Sequence, residues 1–316
     1  MTINLWPTED WTLSPLDAHG INADVFAEGL EKTTSKRLPT SSFLVVRNGT
    51  LVWEAYGDGY DPNSKHYSAS VTKSVLSAVV GIAIEQGHIK DVTQPIGKLV
   101  DTDALCEITD VTLQNLLTMQ AGYQVENIWQ SKNKPQQPIT VRPESKPGTT
   151  FVYNDNLAHL VSQIVTASSG KTVLKLAEEF LFGPLGVTSP VWPKDIHGIT
   201  LGHTALEWTA RDMARFGYLY LRNGRWEDQQ IVPAGWVHES TQKHSEGGFP
   251  ANHAYGYFWW VEKNTDYNIF FAGGFGEQRI FVIPELDMVI VVTVDVDQGI
   301  GGHFYLDDVV LPAVVA

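Results

Sequence analysis

In SSFLVVRNGTLVWEAYG, which starts at Ser41, apolar residues alternate on both sides of Asn48-Gly49. Asn-Gly accepts the positive φ angles of a tight turn, so the stretch predicts an antiparallel hairpin. A polar loop, DGYDPNSKH, leads to SASVTKSVLSAVVGIAIEQG, whose apolar run predicts a buried helix opening at Ser70. From about Gln86 to Arg222 the pattern is mostly helical, cut by turn-rich stretches. One of these, SKNKPQQPITVRPESKPGTT, carries prolines and a glycine that exclude a continuous helix. TARDMARFGYLYLRNGRW predicts a well-bounded helix: Thr209 with Asp212 resembles a capping box, and Asn223-Gly224 supplies the stop.

Beyond Tyr255 the pattern changes to strands. GYFWWVE, YNIFFAG, EQRIFVIP and DMVIVVTVD are joined by short turns, which predicts an antiparallel meander, and YLDDVVLPAVVA reads as a closing helix. Strands at both ends with helices between predict an α+β fold, an α/β sandwich with one antiparallel sheet built from both chain ends. On this reading residues 1–85 and 215–316 form a sheet-plus-helix domain, and 86–214 an inserted, mainly helical domain. Ser70 falls at the handover between them, where clefts for small-molecule chemistry are common.

Composition narrows the function. The 316 residues are 43% hydrophobic, enough for a substantial core, and the net charge of −14 lacks the basic footprint of nucleic-acid binding. Cys106 is the only cysteine, which excludes an intramolecular disulfide and a cysteine zinc cluster. It reads as a small buried hydrophobe. The first residues show neither a basic n-region nor an apolar h-region, and the longest apolar run, VLSAVVGIAI, is too short for a membrane span. The expected location is cytoplasmic, or periplasmic if a leader has been removed.

Ser70 and Lys73 raise the chemical question. A lysine in a first helical turn opposes the helix dipole. Serine-x-x-lysine occurs four times, at Ser70, Ser131, Ser168 and Ser240. The last three sit in polar or loop-like contexts and read as solvated surface. Only Ser70 opens a buried helix, with Lys73 on the same face. Burial is expected to lower the lysine's pKa and make it a base for the serine. The two residues alone also fit an N-cap serine with a lysine reaching water. Tyr153, just before a new helix, reads as a helix staple or a functional hydroxyl. Gly273, Gly274 and Gly276 permit either a bulge or close approach of a ligand to backbone N–H groups. The histidines are scattered, with no metal-ligand spacing; His203 reads as structural or surface, or as part of a cleft wall. Trp129 and the tryptophans of YGYFWWVE hint at an aromatic-lined cleft.

Taken in order, RNGTLVWEAYG, SASVTKSVLSAVVGIAIEQG, LQNLLTMQAGY, FVYNDNLAHLV, FGPLGV, TARDMARFGYLYLRNGRW, YGYFWW and AGGFGEQRIFVIPELDMVIVV resemble the serine β-lactamase and penicillin-binding-protein superfamily. They are most similar to the class C β-lactamase-like hydrolases that include esterases and 6-aminohexanoate-dimer hydrolases. The resemblance implies Ser70 as nucleophile, Lys73 as base and Tyr153 as proton-transfer partner. It puts the family's tyrosine-x-asparagine on Tyr153 and Asp155, so an aspartate replaces the amide donor. It puts the lysine-threonine-glycine strand on Ala272, Gly273 and Gly274, where cation and hydroxyl are both missing. The N–H groups of Ser70 and Phe275 are the implied oxyanion hole, with Asp155 and Gly274 also facing substrate. Each such donor contributes on the order of 3 kcal/mol.

These readings together predict a serine hydrolase acting through an acyl-enzyme on a small ester or amide, weak against β-lactams. No cofactor, metal, nucleic acid or membrane is implied, and the oligomeric state is open. The alternatives are a true β-lactamase, a D-alanyl-D-alanine carboxypeptidase, or a non-catalytic ligand-binding relative.

Overall fold

The Asn48-Gly49 turn forms as predicted. Both residues have positive φ, 53° and 76°, and they join β1 (Thr40–Arg47) to β2 (Thr50–Tyr56) as an antiparallel pair. The computed structural model describes residues 6–35, 40–99, 110–126, 140–262, 266–295 and 302–315. Cys106, Trp129 and Ser131 lie outside them. Six further strands come from the C-terminal part: β3 (Ser245–Gly248), β4 (His253–Tyr255), β5 (Trp260–Val261), β6 (Phe270–Gly274), β7 (Gln278–Ile283) and β8 (Met288–Val294). They complete one eight-stranded antiparallel sheet in the order β2-β1-β8-β7-β6-β5-β4-β3. The two ends of the chain meet where β1 pairs with β8, Val45 opposite Ile290.

The meander from β5 to β8 is present, with one shortening. The predicted strand GYFWWVE is reduced to Trp260–Val261. Phe258 takes a φ of 61°, which turns the chain, and Gly256 is pressed against the Ser240 carbonyl. β3 and β4 have no counterpart in the sequence reading, because SEGGFPANHAY lacks the alternation that marks a strand.

The longer helices are α1 (Ala23–Ser35), α2 (Val71–Glu85), α3 (Asp155–Ser169), α4 (Ala210–Leu221) and a closing run, α5. α5 joins Gly302–Phe304, a π-helical turn Tyr305–Val310, and Leu311–Ala313. Thr209 caps α4 as expected, accepting from the Asp212 N–H at 3.1 Å, and Asn223-Gly224 ends the segment with φ of 53° and 78°. Alternation along the strands assigns the two faces. Ile280 and Val289 point at Gly217 of α4, whereas Phe43 points the other way, onto Phe26 of α1 and Tyr305 of α5. α2 also packs on β6 and β7.

α2 is buried from Val71 to Ala83. Val75, Leu76, Val79, Val80 and Ile82 each contribute about 1.5–3 kcal/mol by leaving water. That is enough to offset the several kcal/mol of placing an ammonium in its first turn.

Candidate active site

Ala69 sets up the nucleophile position. It is buried, with a φ of 45°, a conformation that costs a non-glycine residue about 1–3 kcal/mol. Its neighbours hold it there. Ser68 donates from N–H and Oγ to the Leu206 carbonyl at 3.0 and 2.6 Å, and Thr72 Oγ1 donates to the Ala69 carbonyl at 2.6 Å. The bend delivers Ser70 to the head of α2 in helical conformation (φ −74°, ψ −3°), with no capping bond from its side chain. The N-cap reading is thereby overturned, and the Ser70 hydroxyl is left for Lys73.

Lys73 is 1% exposed. Its Nζ lies 2.7 Å from Ser70 Oγ, 2.8 Å from the His203 carbonyl and 2.8 Å from Asp155 Oδ1. Three acceptors meet the three donors of an ammonium. The Tyr153 ring centroid is 4.9 Å from the same nitrogen. The sequence expectation of a lowered lysine pKa is corrected here. Burial pushes the ammonium down, but Tyr153 and the Asp155 carboxylate outweigh it and hold Lys73 above its usual range. Asp155 responds in kind: partial burial pushes it up, and Lys73, with a smaller effect from His203, draws it below the ordinary carboxylate range. Asp155→Asn is therefore expected to move the Lys73 titration midpoint, followed by its ¹³Cε shift, to lower pH. An unmoved midpoint would show that Asp155 does not set it.

Tyr153 and Asp155 reach the site because Asn154 caps α3, accepting from the Asn156 N–H at 2.8 Å while its own amide donates to the Val125 carbonyl at 3.3 Å. Asp155 then occupies the first turn, where the helix dipole favours a carboxylate. Tyr153 stacks on Trp260, centroids 5.8 Å apart and planes 15° apart, and both residues line the cleft.

The cleft encloses about 430 Å³, and its walls include Ser70, Tyr153, Asp155, Trp260, Gly274 and Phe275. Gly274 is required by contact: a Cβ there would lie 2.6 Å from the Ser68 carbonyl and 3.1 Å from the Ser70 nitrogen. The end of β6 thus lies directly against the head of α2. Phe275 follows and is 76% exposed where it lines the cleft, as does Phe249, 82% exposed. Arg279 also lines the cleft, but its guanidinium donates to the Gly274 and Gln278 carbonyls at 3.0 Å and to Glu277 at 2.9 Å.

His203 is buried rather than on the surface, and it meets the site through its carbonyl. Behind it stands a pair that sequence spacing did not reveal. The Gly202 N–H donates to His159 Nδ1 at 3.4 Å, so Nε2 carries the proton and donates to Asp195 at 3.2 Å. Both side chains are fully buried, and they fix the loop whose carbonyl holds Lys73. Of the other candidate serines, Ser168 lies in the last turn of α3. Ser240 is buried, contrary to expectation, because the helix Ala234–Ser240 packs Trp236 against Gly81 of α2; its hydroxyl donates to the Val237 carbonyl at 3.2 Å.

A meander sheet completed by an N-terminal hairpin, with a serine-x-x-lysine pair at the head of a buried central helix, defines the β-lactamase and transpeptidase-like class of hydrolases. The chain belongs to the Beta-lactamase family, whose sequence profile matches residues 22–314. It is similar to a 6-aminohexanoate-dimer hydrolase of Paenarthrobacter ureafaciens, 24% identical over 307 residues, covering 87% of this chain and 76% of that protein. In fold it is similar to EstCE1, a hydrolase with promiscuous acyltransferase activity, with a TM-score of 0.72 at 14% identity, covering 90% and 98% of the two chains. A D-stereospecific amidohydrolase from Streptomyces sp. superposes with a TM-score of 0.68 at 14% identity, covering 90% and 97%. No described helix is long and apolar enough to cross a membrane.

Proposed function

We propose that this hydrolase acts through an acyl-enzyme on Ser70, cleaving a small neutral ester or amide. The observation that carries the reading is the Ser70 hydroxyl, uncommitted to capping and 2.7 Å from Lys73 Nζ, opening into the same cleft as Tyr153. Ser70 Oγ attacks the carbonyl. Lys73, in its neutral form, takes the hydroxyl proton, and Tyr153 relays it to the leaving group. The N–H groups of Ser70 and Phe275 receive the developing oxyanion, and water activated by the same pair then releases the acid. The similarity to EstCE1, a hydrolase with promiscuous acyltransferase activity, to a D-stereospecific amidohydrolase and to a 6-aminohexanoate-dimer hydrolase supports this reaction class.

Charge in the cleft supports a neutral substrate. Lys73 is matched by Asp155, and Arg279 by Glu277. Ala272 is buried, while Gly273 and Gly274 bring no side chain where a lysine and a threonine would hold a carboxylate. A hydrogen bond to a charged group contributes roughly 1.5–3 kcal/mol, so its loss costs about ten- to a hundredfold against a penicillin or cephalosporin. The test compares p-nitrophenyl butyrate, a linear amide, a D-Ala-D-Ala peptide and a chromogenic cephalosporin on one preparation, each rate divided by its uncatalysed hydrolysis. The ester or amide is expected to lead by at least that margin in kcat/KM. A leading cephalosporin or peptide would make the protein a β-lactamase or a carboxypeptidase, and inactivity throughout in a folded protein would favour a binding role.

A further inference from the structure

The fold gathers two residues from neighbouring strands and a third from the closing helix about forty residues on. His253 lies in β4, Glu262 directly follows β5, and His303 lies in the first turn of α5. Glu262 is nearly buried, and its two oxygens face the two rings: Oε1 is 3.1 Å from His253 Nδ1 and Oε2 is 3.3 Å from His303 Nε2. All the donor atoms lie within 4.8 Å of one another. The rings lie parallel, 1° apart in plane, and both meet Phe271 edge-on, so one side of the cluster is walled by apolar surface.

We propose that His253, Glu262 and His303 form a binding site for one Zn²⁺ ion, holding α5 to the β4–β5 pair of the sheet. Two imidazoles and a carboxylate are a three-ligand zinc set that leaves a fourth position for water. Metal–ligand bonds of about 2.0–2.1 Å put tetrahedral donors roughly 3.4 Å apart, close to the two N···O separations already present. Closing the wider gap takes a rotation of the two histidine side chains, which are 21% and 25% exposed. Charge favours a cation. Asp307, four residues after His303, adds a further carboxylate close to the cluster. Imidazole with carboxylate selects Zn²⁺ over Mg²⁺ or Ca²⁺, which take oxygen ligands.

The site connects to the cleft through one ring. Phe271 touches both histidines, stacks on Trp260 at 6.4 Å and lies 5.6 Å from the Arg279 guanidinium. An ion there would stiffen the cleft wall without touching the reacting atoms.

Co²⁺ serves as the spectroscopic probe. Protein stripped with EDTA and titrated with Co²⁺ is expected to develop the visible d–d bands of a four-coordinate ion, saturating at one ion per chain and bleached by Zn²⁺. Zn²⁺ should also raise the unfolding midpoint. His253→Ala and His303→Ala should each weaken binding by about a hundredfold or more, beyond the loss expected for an outer-shell partner. Should either fail to fold by circular dichroism, His253→Gln and His303→Gln replace them. Absence of the bands, or binding unchanged in the folded double histidine variant, overturns the site and leaves Glu262 as a hydrogen-bonded latch.

Discussion

Ser70→Ala is expected to abolish both turnover of p-nitrophenyl esters and labelling by a fluorophosphonate probe. Removing a serine nucleophile costs on the order of 10⁶ in kcat, because the remaining groups then act only through binding and the oxyanion donors. The variant should fold normally, since the Ser70 side chain makes no capping bond and water can replace Oγ at the Lys73 ammonium. Circular dichroism and an unfolding curve check that point separately. Mass spectrometry of the labelled wild type should find the probe on Ser70 alone. A label on Ser131, Ser168 or Ser240 would remove Ser70 from the mechanism. Ser240 already argues for itself as a structural residue, because its hydroxyl is buried and turned back on its own helix.

The fold was legible wherever the local pattern was strong. Asn48-Gly49, the capped helix from Ala210 and the strands from Phe270 to Val294 follow from turn chemistry and period alone. β3 and β4 were not legible, because an edge strand in SEGGFPANHAY is defined by its neighbour rather than by its own alternation. At the site, Ser70, Lys73 and Tyr153 could be singled out from the chain, and the structure brings them together. The sign of the lysine shift could not be read. Burial alone predicts a fall, and only the fold shows that the first residue of α3 lies against the first turn of α2. The His159–Asp195 pair and the His253–Glu262–His303 cluster were equally silent, since each needs a partner 36 or 41 residues away that only the fold brings near.

Lys73→Ala is expected to lower kcat/KM by roughly a hundredfold or more, the scale for losing a general base, with Lys73→Arg nearly as damaging. A guanidinium keeps its proton near neutral pH, so it preserves the charge and removes the base. The ion pair adds a pH signature. Lys73 is raised, so the stability it contributes is present below its ordinary value near ~10.4 and is lost as pH rises through the higher folded value. Asp155 is depressed, so its contribution is present above ~3.9 and is lost as pH falls through the lower folded value. Between these limits the fold holds Lys73 as an ammonium, and only its neutral fraction accepts the serine proton. Wild-type kcat/KM should therefore climb on the alkaline side as that fraction grows. Asp155→Asn should bring the climb to lower pH, because the carboxylate that holds the proton on Lys73 is gone. Rates across the pH range for the wild type and the three variants check both parts at once. If Lys73→Arg kept most of the activity with an unchanged profile, the lysine would be acting as a fixed charge, and the proton would have to leave Ser70 by way of Tyr153 alone.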